Sequence, residues 1–365
     1  MNGLQHRSAP TAHLPLYLAT AYTLLVIYAS LHPFLGWRES GAAVFSYLSA
    51  AWPRYWTVFD LVTNALAYIP LGFLWVPAMQ PRCGRMLAVV LATLLGVLLS
   101  LAMETLQNFL PSRIPSNVDL ATNSMGVLLG AIVGGRFGAG LLDGGRLYAL
   151  NRRLIGDGPI PHVGLVLLGL WLMTQLNPGI LLFGNGDLRV ILSGVDVLEA
   201  LPYAAEHFPW VEASVTASNT LAVGLLCSCL LRERRYELAL VLFVVALLLK
   251  TLSLAVLTSI ASVTWATTGS LVGLGGGLLL WLFASALPYS TRKAFAALAL
   301  MLATTLVNLA PENPYLAATL QLWEQGHFLN FNGLTRISSV LWPFLALPWL
   351  MLLREIPKNG REEGE

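Results

Sequence analysis

Long uncharged runs decide the fold of this chain before any motif does. Residues 86–103 pass eighteen positions without a charge, and about 20 apolar residues of helix cross a bilayer. Similar runs recur along the chain, and they are continuous. A membrane barrel would need alternating strands of about ten residues. Only 11% of the residues are charged and 56% are hydrophobic, against roughly 25% charged in an ordinary soluble chain. The expected fold is an all-α polytopic membrane protein with about ten transmembrane helices. They fall near 14–34, 57–79, 86–110, 117–138, 162–183, 214–231, 236–260, 264–287, 294–310 and 338–353.

Basic residues orient these spans, because short cytoplasmic loops of membrane proteins are rich in Lys and Arg. The ten-span reading puts fifteen on one side, among them Arg82, Arg85, Arg232, Arg292 and Lys293, and five on the other. Both termini are therefore expected in the cytoplasm. The first apolar run lacks a cleavage-type flank and reads as a retained helix. Four organisational segments follow. Residues 1–140 form a four-helix membrane domain and 141–161 a cytoplasmic linker. Residues 162–353 form a second membrane region of about six helices, and 354–365 a charged cytoplasmic tail. Two long outward loops, 184–213 and 311–337, interrupt the second region. The first is acidic, with Asp187, Asp196, Glu199, Glu206 and Glu212, and its Ile191, Val195 and Leu198 fit a short surface helix. The second holds His327, Asn330 and Asn332.

One short phrase occurs twice, as Asp60-Leu-Val-Thr-Asn64 and Asp119-Leu-Ala-Thr-Asn123. Each opens a helix that enters from the outer side. A hydroxyl stands three residues before each acid, at Thr57 and Ser116, close to a capping box. The aspartates are thus readable as plain helix starters, favoured by the helix dipole. Capping does not account for Asn64 and Asn123. They lie seven residues past the hydroxyls, about 10 Å deeper along a helix, on the face of their aspartates. The intervening helix carries Glu104 and Gln107 near its outer end, before Pro111-Ser-Arg113-Ile-Pro115. Asn64, Glu104 and Asn123 should share one layer, and Asp60, Gln107 and Asp119 a second one nearer the surface, with Arg113 above both. Glu104 follows a long apolar run, and an ionisable group there rarely faces lipid. It should turn inward onto amides and Arg113. Three carboxylates near one arginine make Glu104, the deepest, the best candidate for a general acid or base. The competing reading is a polar network that only fixes helix register.

Packing signals accompany the polar ones. Gly126, Gly130 and Gly134 form a small-residue seam. Pro70 and Gly72 are expected to kink the helix that carries them, and Gly269–Gly277 to break another. Lys250 lies inside an apolar run and is read as snorkelling, as pairing with carbonyls or as part of a pathway.

The run Asp60…Asn64…Tyr68-Ile-Pro70-Leu-Gly72, then Glu104-Thr-Leu-Gln107…Pro111-Ser-Arg113…Asp119…Asn123…Gly126…Gly130, resembles the VanZ-like family over roughly residues 15–140. Gly184-Asn-Gly-Asp187-Leu-Arg189 and Asn330-Phe-Asn332-Gly333…Trp342-Pro343 resemble features of longer, fused relatives. The resemblance implies a bacterial inner-membrane protein of the cell envelope. The family's namesake is associated with low-level resistance to teicoplanin, a lipid-bearing glycopeptide. The linker Ile114–Val118 is longer than the usual pattern, which leaves the place of Arg113 relative to Asp119 open.

The expected function is binding or modification of an amphiphile at the outer leaflet. Glu104, Asp60 and Asp119 would be its acid–base and orienting groups. Asn64, Gln107, Arg113 and Asn123 would bind the polar head, Arg113 through a phosphate or carboxylate. Membrane lipids and a lipid-linked or lipid-bearing ligand are the expected partners. The alternatives are a transporter or flippase of an envelope amphiphile, and a non-catalytic membrane scaffold. A net charge of +2 gives no footprint for nucleic acid. No cofactor or metal is expected: the chain lacks a P-loop, G-x-S-x-G, H-E-x-x-H and a metal-spaced His/Cys set. Its three cysteines, Cys83, Cys227 and Cys229, suggest no disulfide framework.

Overall fold

The computed structural model describes residues 13–39, 41, 43–52, 58–138, 140, 149–150, 153–155, 158–190, 202–232, 235–257, 262–311, 313–314 and 329–354. Every regular element among them is helical. The chain divides into two compact units, Met1–Arg152 and Arg153–Glu365. Among the described residues nine helices are long and apolar enough to cross a membrane, and Pro159–Thr174 is a shorter apolar helix. Thr57, His327, the acidic residues Asp196 and Glu199 and the face Ile191, Val195 and Leu198 lie outside the described residues.

Unit 1 contains α1 (His13–Leu31), a 3-10 turn (Ser46–Ser49), α2 (Val58–Cys83), α3 (Arg85–Gln107) and α4 (Asn117–Val133), which continues as a π-helical turn over Gly134–Gly138. Gly84, with φ of 78°, is the whole connection between α2 and α3. Its N–H closes the last helical bond to the Gln80 carbonyl at 2.9 Å, and its positive φ, which glycine adopts without a Cβ clash, turns the chain into α3. Helix α2 runs unbroken through Pro70, Pro77 and Pro81. In lipid the other backbone groups have no water to turn to, which favours keeping the helix.

Helices α2 and α4 touch backbone to backbone. A Cβ added at Gly126 would lie 2.2 Å from the Ala65 carbonyl oxygen, at Gly130 1.9 Å from that of Ile69, and at Gly134 2.6 Å from that of Phe73. The pairing advances by four residues on both helices in the same direction, so the two run parallel. Gly72 belongs to the same contact: a Cβ there would lie 2.1 Å from the Val127 carbonyl oxygen. It permits this close approach of the two helices. Helix α1 is pinned to α2 by Tyr22, whose hydroxyl donates to the Ala67 carbonyl at 2.8 Å, and by Trp75, whose indole N–H donates to Thr23 Oγ1 at 3.0 Å.

Unit 2 contains α5 (Pro159–Thr174), a 3-10 turn (Leu188–Val190), α6 (Phe208–Leu230), α7 (Tyr236–Leu257), α8 (Thr268–Ser285), α9 (Tyr289–Leu309) and α10 (Leu329–Leu352). Helix α6 is its axis: 78% of its apolar window is buried, against 28–44% for the other candidate spans. Around it Trp171, Phe183, Phe243 and Trp281 stack edge and tilt, with centroids 5.2–6.2 Å apart.

Three expectations about this unit change. The glycines of α8 do not break it. Gly269, Gly273 and Gly277 face α6, where a Cβ would lie 2.5 Å from the Pro209 carbonyl oxygen, 2.4 Å from that of Ala213 and 2.7 Å from Thr220 Cβ. Glu212 is not a loop residue. Pro209, in the first turn, suits a helix start, and α6 begins at Phe208, six residues earlier than its apolar run. Helix α10 likewise begins at Leu329, inside the expected loop. Its early polar residues Asn332, Thr335 and Ser339 are buried, so they face protein and look like loop only by composition.

Candidate functional site

The start of α4 is built by three elements. Ser116 is its N-cap: the side-chain Oγ accepts from the N–H groups of Val118 (3.2 Å) and Asp119 (3.3 Å). In a capping box the acid three residues on would take the N–H of the cap residue. Here Glu104, from the end of α3, takes it: Ser116 N–H donates to Glu104 Oε2 at 2.9 Å. That leaves Asp119 to accept from Asn64 of α2, Nδ2 to Oδ1 at 2.9 Å. One helix entrance thus ties α2, α3 and α4 together.

The carboxylates form one electrostatic group. Asp119 lies close enough to Asp60 and to Glu104 for their charges to repel, and Arg113 close enough to Glu104 to attract it. Glu104 is 3% exposed, while Asp60, Asn64, Gln107, Arg113 and Asp119 are half-buried. The Arg113 guanidinium donates from Nη2 to the His32 carbonyl, past the end of α1. Burial pushes its pKa below the ordinary arginine value, and the charge of Glu104 pulls it back up. The long linker therefore brings Arg113 to Glu104 and to the chain after α1.

The expected layers are rearranged. Asn64 meets Asp119, one layer nearer the helix entrance than anticipated, because helix side chains lean toward the N-terminus. Asn123 turns deeper, donating from Nδ2 to Ser100 Oγ at 3.0 Å, and its buried Oδ1 has no hydrogen-bond partner. Gln107 leaves the group and donates to the Ser30 carbonyl of α1 at 2.9 Å. Tyr68, one turn below Asn64, is 5% exposed and its hydroxyl meets the side chains of Ser30 and Ser100. Ser30, Ser100 and Tyr68 were missed as site residues. Their signal in the sequence was position: Ser100 precedes Glu104 by one turn and Tyr68 follows Asn64 by one turn.

The arrangement joins a buried carboxylate to two shallower ones and a guanidinium at the ends of apolar helices. It is suited to holding a polar head by charge-assisted hydrogen bonds and to moving a proton at Glu104. Among the described residues no group of three or more His, Cys, Asp or Glu side chains is placed to hold a metal ion.

A family model described as VanZ/LLP1 matches residues 11–137, the region that contains this site and about a third of the chain. No curated protein and no solved structure matches the chain significantly.

Proposed function

We propose that this protein, a multi-pass membrane protein whose N-terminal unit carries a VanZ-like domain, binds or modifies the polar head of an envelope amphiphile at the entrance of α2 and α4. A lipid-linked cell-wall precursor or a lipid-bearing glycopeptide of the teicoplanin type has the required form. In this reading the chain sits in the bacterial cytoplasmic membrane with both termini inside, and the site faces the outer leaflet. Arg113 holds a phosphate or carboxylate of the head. Asp60, Asp119 and Asn64 orient it, and Glu104 takes or gives a proton.

The observation that carries this reading is Glu104. It sits 3% exposed at the end of an apolar helix, within electrostatic reach of another carboxylate and an arginine. Ionisable groups at such depth are costly and are usually found where a ligand or proton is handled. The test is teicoplanin susceptibility in a bacterial host that expresses the protein, its Glu104→Gln form or its Arg113→Gln form at matched membrane levels. The wild type should raise the inhibitory concentration, and both variants should lose most of that increase. Full protection by Glu104→Gln would remove the proton-handling role. Full protection by both would remove the site.

A further inference from the structure

The connection from α1 to α2 lies at the end of unit 1 that carries the Glu104 site, and its described part covers residues 32–39, 41 and 43–52. Four hydrogen bonds fix it there. Arg113 donates to the His32 carbonyl. The Arg38 N–H donates to the Phe109 carbonyl at 3.0 Å. Tyr47 is buried, and its hydroxyl meets Thr105 Oγ1 at 3.1 Å. Asn117 Nδ2 donates to the Ala50 carbonyl at 2.7 Å. The connection is thus a strap, held at its start, middle and end by α3, α4 and the linker between them.

The surface this strap leaves open is largely apolar. Leu35, Trp37, Phe45, Leu48 and Trp52 are exposed, and so is Ile114 beside Arg113. Arg38 and Glu39 are the two acidic or basic side chains of residues 33–52. Single apolar side chains on a water-facing loop are ordinary. Six gathered around one polar site, two of them tryptophans, have the composition of a membrane interface. The Trp37 indole N–H donates to the Phe34 carbonyl at 2.8 Å, so that ring can meet lipid without an unpaired donor.

Helix rise gives the depth. Helix α3 has 23 residues, about 35 Å at a rise of ~1.5 Å each, and a hydrocarbon core is about 30 Å thick. Arg85 opens the helix and holds that end at one edge of the core, so its last turn reaches the other edge. Thr105, which takes Tyr47, is in that last turn, and Phe109, which takes Arg38, lies just past it. The strap is therefore level with the edge of the core, where the headgroup layer adds about 5–7 Å on each side. We propose that the strap is seated in the headgroup layer of the leaflet on which the site opens, so that its partner is the bilayer surface. Trp37 and Trp52 are its anchors in that layer. The Glu104 site, flanked by the strap through Arg113 and Asn117, then takes its ligand sideways from the bilayer. That consequence rests on the proposed ligand role of the site; the seating of the strap does not.

The test uses the full-length protein in phosphatidylcholine nanodiscs whose lipids carry a nitroxide near the glycerol end or near the methyl end of one chain. The fluorescence difference between the wild type and the Trp37→Phe/Trp52→Phe variant isolates the two rings. That difference signal should lose most of its intensity to the glycerol-end label, less to the methyl-end label and little to aqueous iodide. Strong loss to iodide without loss to either lipid label would place the strap in water and overturn the proposal. Stronger loss to the methyl-end label would overturn it by placing the rings in hydrocarbon. The wild type alone gives a second reading, needed if the variant does not fold. A phospholipid with a photoactivatable diazirine on its headgroup should label peptides covering 34–52, and labelling confined to other segments would overturn the seating. Teicoplanin susceptibility is read separately. A water-exposed strap beside intact, Glu104-dependent protection would discard the seating and keep the function, and a lipid-seated strap without protection would do the reverse.

Discussion

Asp119 and Glu104 show how far a single residue's role depends on what stands across from it. Each is an acid near a helix end, and Asp119 occupies the position that closes a capping box on Ser116. The box closes through Glu104 instead, and Asp119 receives Asn64. Removing both sides of the Asn64–Asp119 bond should then cost less than the sum of removing each alone. A thermal or chemical unfolding cycle with Asn64→Ala, Asp119→Ala and the double variant should show a coupling of about 0.5–3 kcal/mol; additivity would mean that the bond contributes nothing. Lys250 makes the opposite case, a charge whose role is local. It is 2% exposed and caged by three carbonyls, the carbonyl pairing that was one of its sequence readings. Lys250→Met should lower Tm strongly, because each carbonyl left buried without a donor costs about 1–3 kcal/mol. A Tm within a degree of wild type would show that water or backbone movement replaces the ammonium. The helices that carry the candidate residues of unit 1 and the depth of each Cα were legible in sequence, since both follow from helix rise, but Ser30, Tyr68 and Ser100 were not. The partner of each side chain was not, because a side chain reaches across to whichever helix is nearest at its tip.

At the scale of the element, glycine periodicity carries the packing. The Gly126–Gly130–Gly134 seam was readable from spacing alone, and it meets Ala65, Ile69 and Phe73 of α2. Gly269, Gly273 and Gly277 have the same four-residue spacing, and Gly275 and Gly276 add helix-weakening residues to the stretch. Those two have no atom within 4 Å of an added Cβ. Substitutions should therefore separate sharply within one helix. Gly273→Ala and Gly277→Ala should each destabilise by about 1–3 kcal/mol through overpacking. Gly275→Ala and Gly276→Ala should be neutral or stabilise by up to about 1 kcal/mol through helix propensity. Thermal unfolding of the four variants decides it, and equal effects at all four would contradict the α6–α8 contact. Basic residues also find a use at element ends. Lys293 donates to the carbonyls of Met351 and Leu353 at 2.8 Å each, and Arg292 to that of Ser228 at 3.3 Å. Cations there complement the exposed carbonyls that end α10 and α6.

Across the whole molecule, the VanZ-like match and the Glu104 site both lie in unit 1, while a small cavity lined by Glu212 and Lys250 lies in unit 2. Each unit has its own buried core, so a packing lesion should stay in its own unit. Hydrogen exchange of Gly130→Ala should speed up amides of α2 and α4 and leave those of α6 and α8 unchanged; equal acceleration in both units would show that they unfold together. The sequence by itself determined a helical membrane protein, the approximate place of each span and the three helices that would carry the unit 1 site. Those follow from run length and from the fixed rise and periodicity of a helix, which are local. It did not determine that Glu104 would cap α4, that Gln107 would turn to α1, or that Glu212 would leave a loop to line a cavity with Lys250. Those depend on which helices approach and at what offset. Only the packed structure decides that, because helix contacts are set by side-chain volumes and missing Cβ atoms on two surfaces at once.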